Sequence, residues 1–398
     1  MKNFATFRSP QTINYGQKAF KTVGKEASLR GKKALIISDN VMNDLGYVSE
    51  CRDYLVRADV ESVAYLGVKS EPTDEYVAQG LEKFQKEKCD VIISLGGGSC
   101  IDTAKAIAVL GTNGGYIGDY MGEKKIAARK PIAHIAIPTT AGTGSEATDA
   151  TIITNTSNDV KMMIKQPAFM PEVAIVDPAL SASSPKSVTA ATGVDALSHA
   201  IEAYISRRAH PMADRLALSA MELIVHNLKP AYEDGKNMNA REAMSLGALQ
   251  AGMAFSNSSV CLVHGMSRPI GALFHVPHGF SNAMLLPAVL EFSKEACIER
   301  LADLGRFFES ETTNLSDTEA ANVAVIAVKK LCLDLNIPNL KGWGIDKDLF
   351  VNVTSKMATD ALASGSPQNN PRVPTQKEIE ELYQGCYDYQ FSDESKVR

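Results

Sequence analysis

The stretch Asp90–Leu110, DVIISLGGGSCIDTAKAIAVL, decides the fold class. Its first six residues, DVIISL, form a β-rich apolar run of strand length. Three glycines follow at once, and Ser99–Leu110 then repeats small and apolar side chains at helical spacing, with Ser99 placed to cap the helix. A strand, a glycine corner and a helix make half of a βαβ unit. The same rhythm surrounds it. Lys33–Ser38 (KALIIS), Glu61–Leu66 (ESVAYL) and Ile132–Ile137 (IAHIAI) read as strands, and Asp74–Lys86 carries the apolar period of a helix. Strands alternating with helices predict a parallel, doubly wound sheet.

The rhythm ends after Val173–Leu180 (VAIVDPAL) and the turn-prone run Ser181–Pro185 (SASSP). Beyond it, Ala-, Leu-, Met- and Glu-rich helical stretches take over. Pro230, Pro269, Pro277, Pro287 and Pro338 are expected to punctuate helices of ordinary length. The expected architecture is an N-terminal α/β dinucleotide-binding domain with a Rossmann-like parallel sheet over residues 1–185, followed by an all-α domain over residues 186–398. A chain of 398 residues has room for both at roughly 150 residues per domain.

Charge and cysteine usage exclude whole classes of partner. The 41 Lys and Arg stand against 46 Asp and Glu, and no dense basic run offers the stripe that phosphate backbones require, so nucleic acid is not expected. Met1–Tyr15 lacks the basic and apolar regions of a secretory signal, and no apolar run reaches about 18 residues. A cytoplasmic protein without membrane contact is expected. The seven cysteines (Cys51, Cys89, Cys100, Cys261, Cys297, Cys332, Cys386) are odd in number and never form a CxxC pair, which argues against both a disulfide framework and a thiolate zinc site.

Two glycine- and hydroxyl-rich loops then suggest a nucleotide. Gly96, Gly97, Gly98 and Ser99 let backbone N–H groups approach phosphate oxygens, and the positive end of the following helix stabilises pyrophosphate charge. Pro138–Glu146 (PTTAGTGSE) follows the next strand with hydroxyl and amide donors suited to a second contact. In open α/β sheets ligands bind beyond the carboxyl ends of the strands, where both loops fall. Asp39, at the end of KALIIS, can accept hydrogen bonds from a ribose 2′-OH and repel a 2′-phosphate, favouring NAD over NADP; a helix N-cap is the alternative use.

A second constellation suggests a metal. In Gly193–Tyr204 (GVDALSHAIEAY), Asp195 and His199 are four apart and project from one helical face. His264 and His278 add imidazoles from an apolar, Gly- and Pro-interrupted stretch, with His275 a rival at this point. One carboxylate and three imidazoles suit Fe(II), Zn(II), Mn(II) or Co(II). His134, His210 and His226 lack such a setting and read as structural or surface residues.

Together these motifs closely resemble the iron-containing (group III) alcohol dehydrogenases, from Phe7 to the Asn370-Pro371-Arg372 segment. The resemblance implies the architecture that this family shares with dehydroquinate-synthase-like proteins. It implies NAD(H) as cofactor and a divalent metal, Fe(II) first and Zn(II) or Mn(II) next, held by Asp195, His199, His264 and His278, so that His278 is selected over His275. It also implies pyrophosphate contacts from Gly96, Gly97, Gly98, Ser99, Asp102 and Lys105, and further cofactor contacts from Thr139, Thr140, Thr143 and Ser145. Asp39 matches the carboxylate on the adenosine ribose, Lys161 a lysine reaching the nicotinamide ribose, and Leu180 a residue lining the cofactor cleft. A homodimer or larger assembly follows from the same likeness.

Two departures bear on chemistry. Arg268 stands where that family often carries a histidine proposed to assist proton transfer, and Glu71 stands where an Asn usually precedes Pro-Thr. Arginine is too basic to shuttle protons, but a guanidinium beside the reacting centre can clamp an anionic head group. The expected activity is therefore hydride transfer between nicotinamide and a short metal-bound aldehyde or alcohol whose carboxylate, phosphonate or sulfonate is read by Arg268. Neutral short alcohols or polyols are the alternative, and a dehydroquinate-synthase-like lyase is the alternative of another class.

Overall fold

The computed structural model describes residues 4–158, 160–308 and 314–392. The chain divides into two compact units, one spanning Thr6–Ser183 and the other running from Ser184 onward.

The first unit holds eight strands: β1 (Thr12–Tyr15), β2 (Lys33–Ile37), β3 (Glu61–Tyr65), β4 (Val91–Gly96), β5 (Ala133–Pro138), β6 (Ala150–Asn155), β7 (Val160–Lys165) and β8 (Val173–Val176). Six of them form one parallel sheet in the order β1-β8-β5-β4-β2-β3. Helices α1 (Tyr47–Val56), α2 (Asp74–Lys86) and α3 (Gly98–Asn113) connect its strands. The apolar runs of the sequence are continuous because both faces are covered. Leu35 and Ile37 pack into one core with Val77, Phe84 and Ile107, while Ala34 and Ile36 pack into the other with Val48, Cys51 and Leu55.

The strand order reverses between β2 and β4. That reversal opens a crevice at the carboxyl ends of these two neighbours, and Asp39 and Gly97 are the residues that emerge there. Two features were not expected from the sequence. β1 is a short edge strand whose four residues pair only with β8, and β6 with β7 makes a separate antiparallel hairpin. Both are too short or too polar to stand out as buried runs, and pairing rather than periodicity defines them.

Among the described residues of the second unit the longer helices are α4 (Lys186–Ile205), α5 (Pro211–Glu233), α6 (Met238–Asn257), α7 (Leu262–Phe274), α8 (His278–Ser293), α9 (Ile298–Phe308), α10 (Asp317–Asp334), α11 (Lys347–Ala363) and α12 (Gln376–Tyr387). No strand occurs among its described residues. α4 is nearly all buried, including Asp195, His199 and Glu202, so it forms the centre of the bundle and its polar groups must find partners there. The proline expectation needs correction in part. Pro230, Pro269 and Pro287 lie inside α5, α7 and α8 rather than between helices, each removing one i→i−4 donor that packing of the helix tolerates. Pro277 and Pro338 do sit outside helices. Among the described residues no single helix is long and apolar enough to cross a membrane.

Candidate metal centre and nucleotide loop

Asp195 and His199 leave α4 one turn apart, His264 stands in the first turn of α7, and His278 opens α8. Each offers one ligand atom, and the four atoms lie within 4.8 Å of one another. From Asp195 Oδ1 the distances are 3.5 Å to His264 Nε2, 3.9 Å to His199 Nδ1 and 3.9 Å to His278 Nε2. A cation with bonds of about 2.1 Å places tetrahedral ligand atoms about 3.4 Å apart, and the distances from Asp195 approach that spacing. Three of the four side chains are almost sealed, and only His278, 27% exposed, borders open space. His275 ends α7 in a left-handed conformation, is exposed, and lies outside the cluster.

The electrostatics are those of a cation site. Burial opposes the charge on Asp195, yet the His199 and His278 imidazoles and the hydrogen bond with His264 hold its carboxyl well below the usual range. Burial also works against a charged His264, but Glu202 and Asp195 outweigh it and push the ring up to about 9. His199 stacks on His264 at 4.3 Å between ring centroids and on Phe255 at the same distance, which fixes its orientation.

Two residues of this centre escape a reading of the sequence. Glu202, seven residues after Asp195 and therefore two turns along the same face of α4, accepts from His264 Nδ1 at 2.6 Å and from the backbone N–H groups of Val263 and Cys261 at 2.6 and 2.9 Å. It caps α7 and orients His264 with Nε2 toward the cluster, as outer carboxylates do for metal-bound imidazoles. The spacing Asp195, His199, Glu202 was the available signal.

Asn282, one turn after His278, is fully buried. Its Nδ2 approaches Asp195 Oδ1 at 2.6 Å, His278 Nε2 at 3.0 Å and His264 Nε2 at 3.1 Å, while its Oδ1 has no hydrogen-bond partner among the described residues. A carboxylate and three imidazole nitrogens converge on one point, with the buried Asn282 Oδ1 left over, and this donor set fits a divalent cation held by Asp195, His199, His264 and His278.

Arg268 lies one turn beyond His264 on α7 and is half-buried. Its Nη1 donates to Ser366 Oγ at 3.1 Å, and its buried Nε has no partner among the described residues. Burial lowers its pKa, opposed by the charge of Glu202. That carboxylate already serves three donors.

In the α/β unit, Gly97 rather than Ser99 occupies the N-cap of α3, and no side chain caps it. The first N–H groups of the helix therefore face the crevice without a capping side chain. The glycines are there for space. A Cβ on Gly98 would come within 2.9 Å of Thr143 Cγ2, whereas one on Gly97 would project into open room, 3.8 Å from Thr140. An open cradle of backbone donors between the GGGS and TTAGTGSE loops fits a pyrophosphate.

Lys105 and Asp102 serve this loop from behind. Lys105 has no exposed side chain, and its three donors are spent on Ser145 Oγ at 2.9 Å, Thr148 Oγ1 at 2.8 Å and Ala150 O at 2.7 Å. Asp102 accepts from Ser145 Oγ at 2.5 Å and Ile152 N at 2.9 Å. Asp39 takes up the N-cap use, with its second oxygen left at the crevice. One oxygen accepts from Met42 N at 2.8 Å as an N-cap, and the other stands beside Cys100 Sγ and Gly96 at the crevice. Thr139 is buried and its N–H is taken by Gly96 O, while Thr140 and Thr143 flank the glycines. Lys161 pairs with Glu71 at 3.1 Å. Leu180 is 3% exposed and packs in the core layer with Phe20 and Ile175. His134 is a satisfied interior residue bonded to Ser94 Oγ at 2.8 Å, and His210 bonds Asn257 O at 3.1 Å.

Comparison with known proteins agrees over both units. Residues 10–178 match the family model for iron-containing alcohol dehydrogenase, and residues 189–387 match the C-terminal model of the Fe-containing alcohol dehydrogenase family. The 1,3-propanediol dehydrogenase of Citrobacter freundii is 39% identical over 382 residues, which is 95% of this chain and 97% of the relative. The crystal structure of a 1,3-propanediol oxidoreductase superposes with a TM-score of 0.93 at 37% identity, covering 97% of this chain and 100% of the other. The sulfoacetaldehyde reductase of Bifidobacterium kashiwanohense, solved in complex with NAD+, superposes with a TM-score of 0.87 at 26% identity and coverages of 97% and 100%.

Proposed function

The chain belongs to the family of iron-containing alcohol dehydrogenases and is an NAD-dependent, metal-using alcohol dehydrogenase and aldehyde reductase; from that premise we propose that it reduces short aldehydes carrying an anionic head group. The observation that carries the proposal is Arg268. Its guanidinium stands one turn from a metal-ligating histidine with a single hydroxyl partner and an unused buried Nε, an arrangement that gains most from a two-point anion. The structural neighbour that reduces sulfoacetaldehyde supports an anion of this size.

When bound, the cation supplies Lewis acidity at the substrate oxygen, and the nicotinamide gives or takes the hydride. The chain's own part is positional. Asp195, His199, His264 and His278 would hold the cation, Glu202 orients His264 with Nε2 toward it, and Asn282 donates its amide to Asp195 Oδ1. Gly96, Gly97, Gly98 and Ser99 receive the pyrophosphate, with Thr139, Thr140, Thr143 and Ser145 closing over it, Asp39 facing the adenosine ribose, Lys161 the nicotinamide ribose and Leu180 backing the site. Asp102 and Lys105 stiffen the loop that Ser145 belongs to. Arg268 binds and orients the head group but releases no proton near neutrality.

A second reading, oxidation and reduction of neutral short alcohols and diols, is favoured by the 39% identity to a 1,3-propanediol dehydrogenase. Family membership displaces the lyase alternative. A panel of sulfoacetaldehyde, succinic semialdehyde, 3-hydroxypropanal and propanal, run after anaerobic loading with Fe(II), separates the two readings by kcat/KM measured through NADH absorbance. Preference for the charged aldehydes supports the anionic reading, and equal or better turnover of propanal and 3-hydroxypropanal hands the assignment to the neutral one. A homodimer or larger assembly in the cytoplasm is part of the same proposal, checked by light scattering on the purified protein and by cell fractionation.

A further inference from the structure

Lys161, which the proposed chemistry turns toward the cofactor, is ion-paired with Glu71, to which that chemistry gives no part. The backbone around both is fixed. Thr154 N donates to Pro72 O at 2.8 Å, Thr73 bridges to Thr154 in parallel register, and Thr73 Oγ1 caps α2 by accepting from Tyr76 N at 3.2 Å. Lys161 stands opposite Thr154 on the neighbouring strand β7. Glu71 and Lys161 thus flank one residue of β6, and their side chains meet across it at 3.1 Å.

The two are unequally exposed. The Lys161 side chain is 11% accessible and that of Glu71 44%, so the ammonium is shielded and the carboxylate lies on its solvent side. Glu71 is near enough to Asp102 for its charge to act there. Burial raises the pKa of Asp102, the residue in α3 that holds Ser145, and the charge of Glu71 adds to that rise. The other cations here are committed elsewhere, Lys105 to Ser145, Thr148 and Ala150 and Lys165 to Asp149 at 3.0 Å. Lys161, at the nicotinamide ribose in the proposed reading, is consequently the cation left to attract the charge of the adjoining pyrophosphate, and Glu71 has already neutralised it.

We propose that Glu71 sets the affinity for the dinucleotide by acting as a built-in counter-ion to Lys161, weakening retention of NAD(H) and so easing its exchange. The inference rests on the reading that the loop and Lys161 receive this cofactor. In this role Glu71 is a tuning residue, acting through Lys161 and through the field at the phosphates, and its effect must respond to salt as a charge effect does.

The test is a titration of the purified full-length protein with NADH, followed by nucleotide fluorescence and by calorimetry, at low and high ionic strength. Glu71→Gln keeps an acceptor for Lys161 while removing the charge. It is expected to bind NADH about five- to tenfold more tightly than wild type at low salt, with the gap shrinking at high salt. Glu71→Asn, a shorter neutral residue, guards against a local packing effect and is expected to shift in the same direction. Affinities within twofold of wild type, or weaker binding by both variants, would overturn the proposal and make Glu71 a structural partner of Lys161. Failure of wild type itself to bind NADH would overturn the cofactor reading along with it.

Discussion

The metal centre and the nucleotide loop solve the problem of recognition with opposite materials. At the proposed metal centre four side chains from three helices supply the ligand atoms, and three of them are buried so that each needs a partner of its own, Glu202 behind His264 being the plainest case. At the proposed nucleotide loop the glycine backbone offers the donors, Gly97 leaves the approach open, and the charged residues behind it, Asp102 and Lys105, are turned inward. The histidines make the contrast directly. His264, between Glu202 and Asp195, is pushed up to about 9, whereas burial and the nearby Lys105 charge push His134 down to about 3. A side-chain site therefore fails when one group is removed, while a backbone site fails when one is added.

The sharpest way to break this contrast is Asp195→Ala. It removes the only carboxylate among the four ligand atoms and is expected to abolish metal retention and cost on the order of a thousandfold in kcat, read by elemental analysis together with NADH turnover. Glu202→Gln tests whether the outer partner matters as the contrast demands. Metal affinity is expected to fall about 10- to 100-fold in a competition titration against a chelator, with the helical fold retained. Unchanged affinity would mean that Glu202 only caps α7.

Arg268→Ala is expected to cost anionic aldehydes about 2 kcal/mol, roughly thirtyfold in kcat/KM, while leaving propanal nearly untouched. On the other side of the comparison, Gly98→Ala adds a single methyl that meets Thr143 at 2.9 Å, and it is expected to raise KM for NADH about tenfold with kcat little changed. The smallest effect concerns pH. The folded-state pKa of His134 lies below its unfolded value, so its contribution to stability is complete above about 6.5 and is lost as pH falls toward about 3. His134→Gln, which keeps a partner for Ser94, is expected to flatten the acid limb of a plot of Tm against pH without altering activity at neutral pH.

Much of this is legible in the chain itself. The strand, glycine corner and helix of Asp90–Leu110 are local patterns, and local patterns survive into the fold because a parallel strand covered on both faces must be apolar at every position. Asp195 and His199 are legible as a pair because four residues make about one helical turn. Glu202 and Asn282 do not stand out in the same way, although each is one or two turns from a ligand. Their roles depend on which helices meet them, α7 for Glu202 and the Asp195–His264–His278 convergence for Asn282. Lys105 shows the reverse error: its motif points to phosphate, but folding turns its ammonium into the protein, where three oxygens take all its hydrogens.

The sequence alone determined the class of fold, the order of its elements and the kinds of ligand it holds, since these follow from periodicity, glycine spacing and residue chemistry along the chain. Tertiary structure alone decided which carboxylate stands behind His264, where the amide of Asn282 lies, and which cation is left for Glu71 to neutralise. Those outcomes depend on distances between residues far apart in the chain, and spacing along a sequence sets such distances only within a single helix or strand.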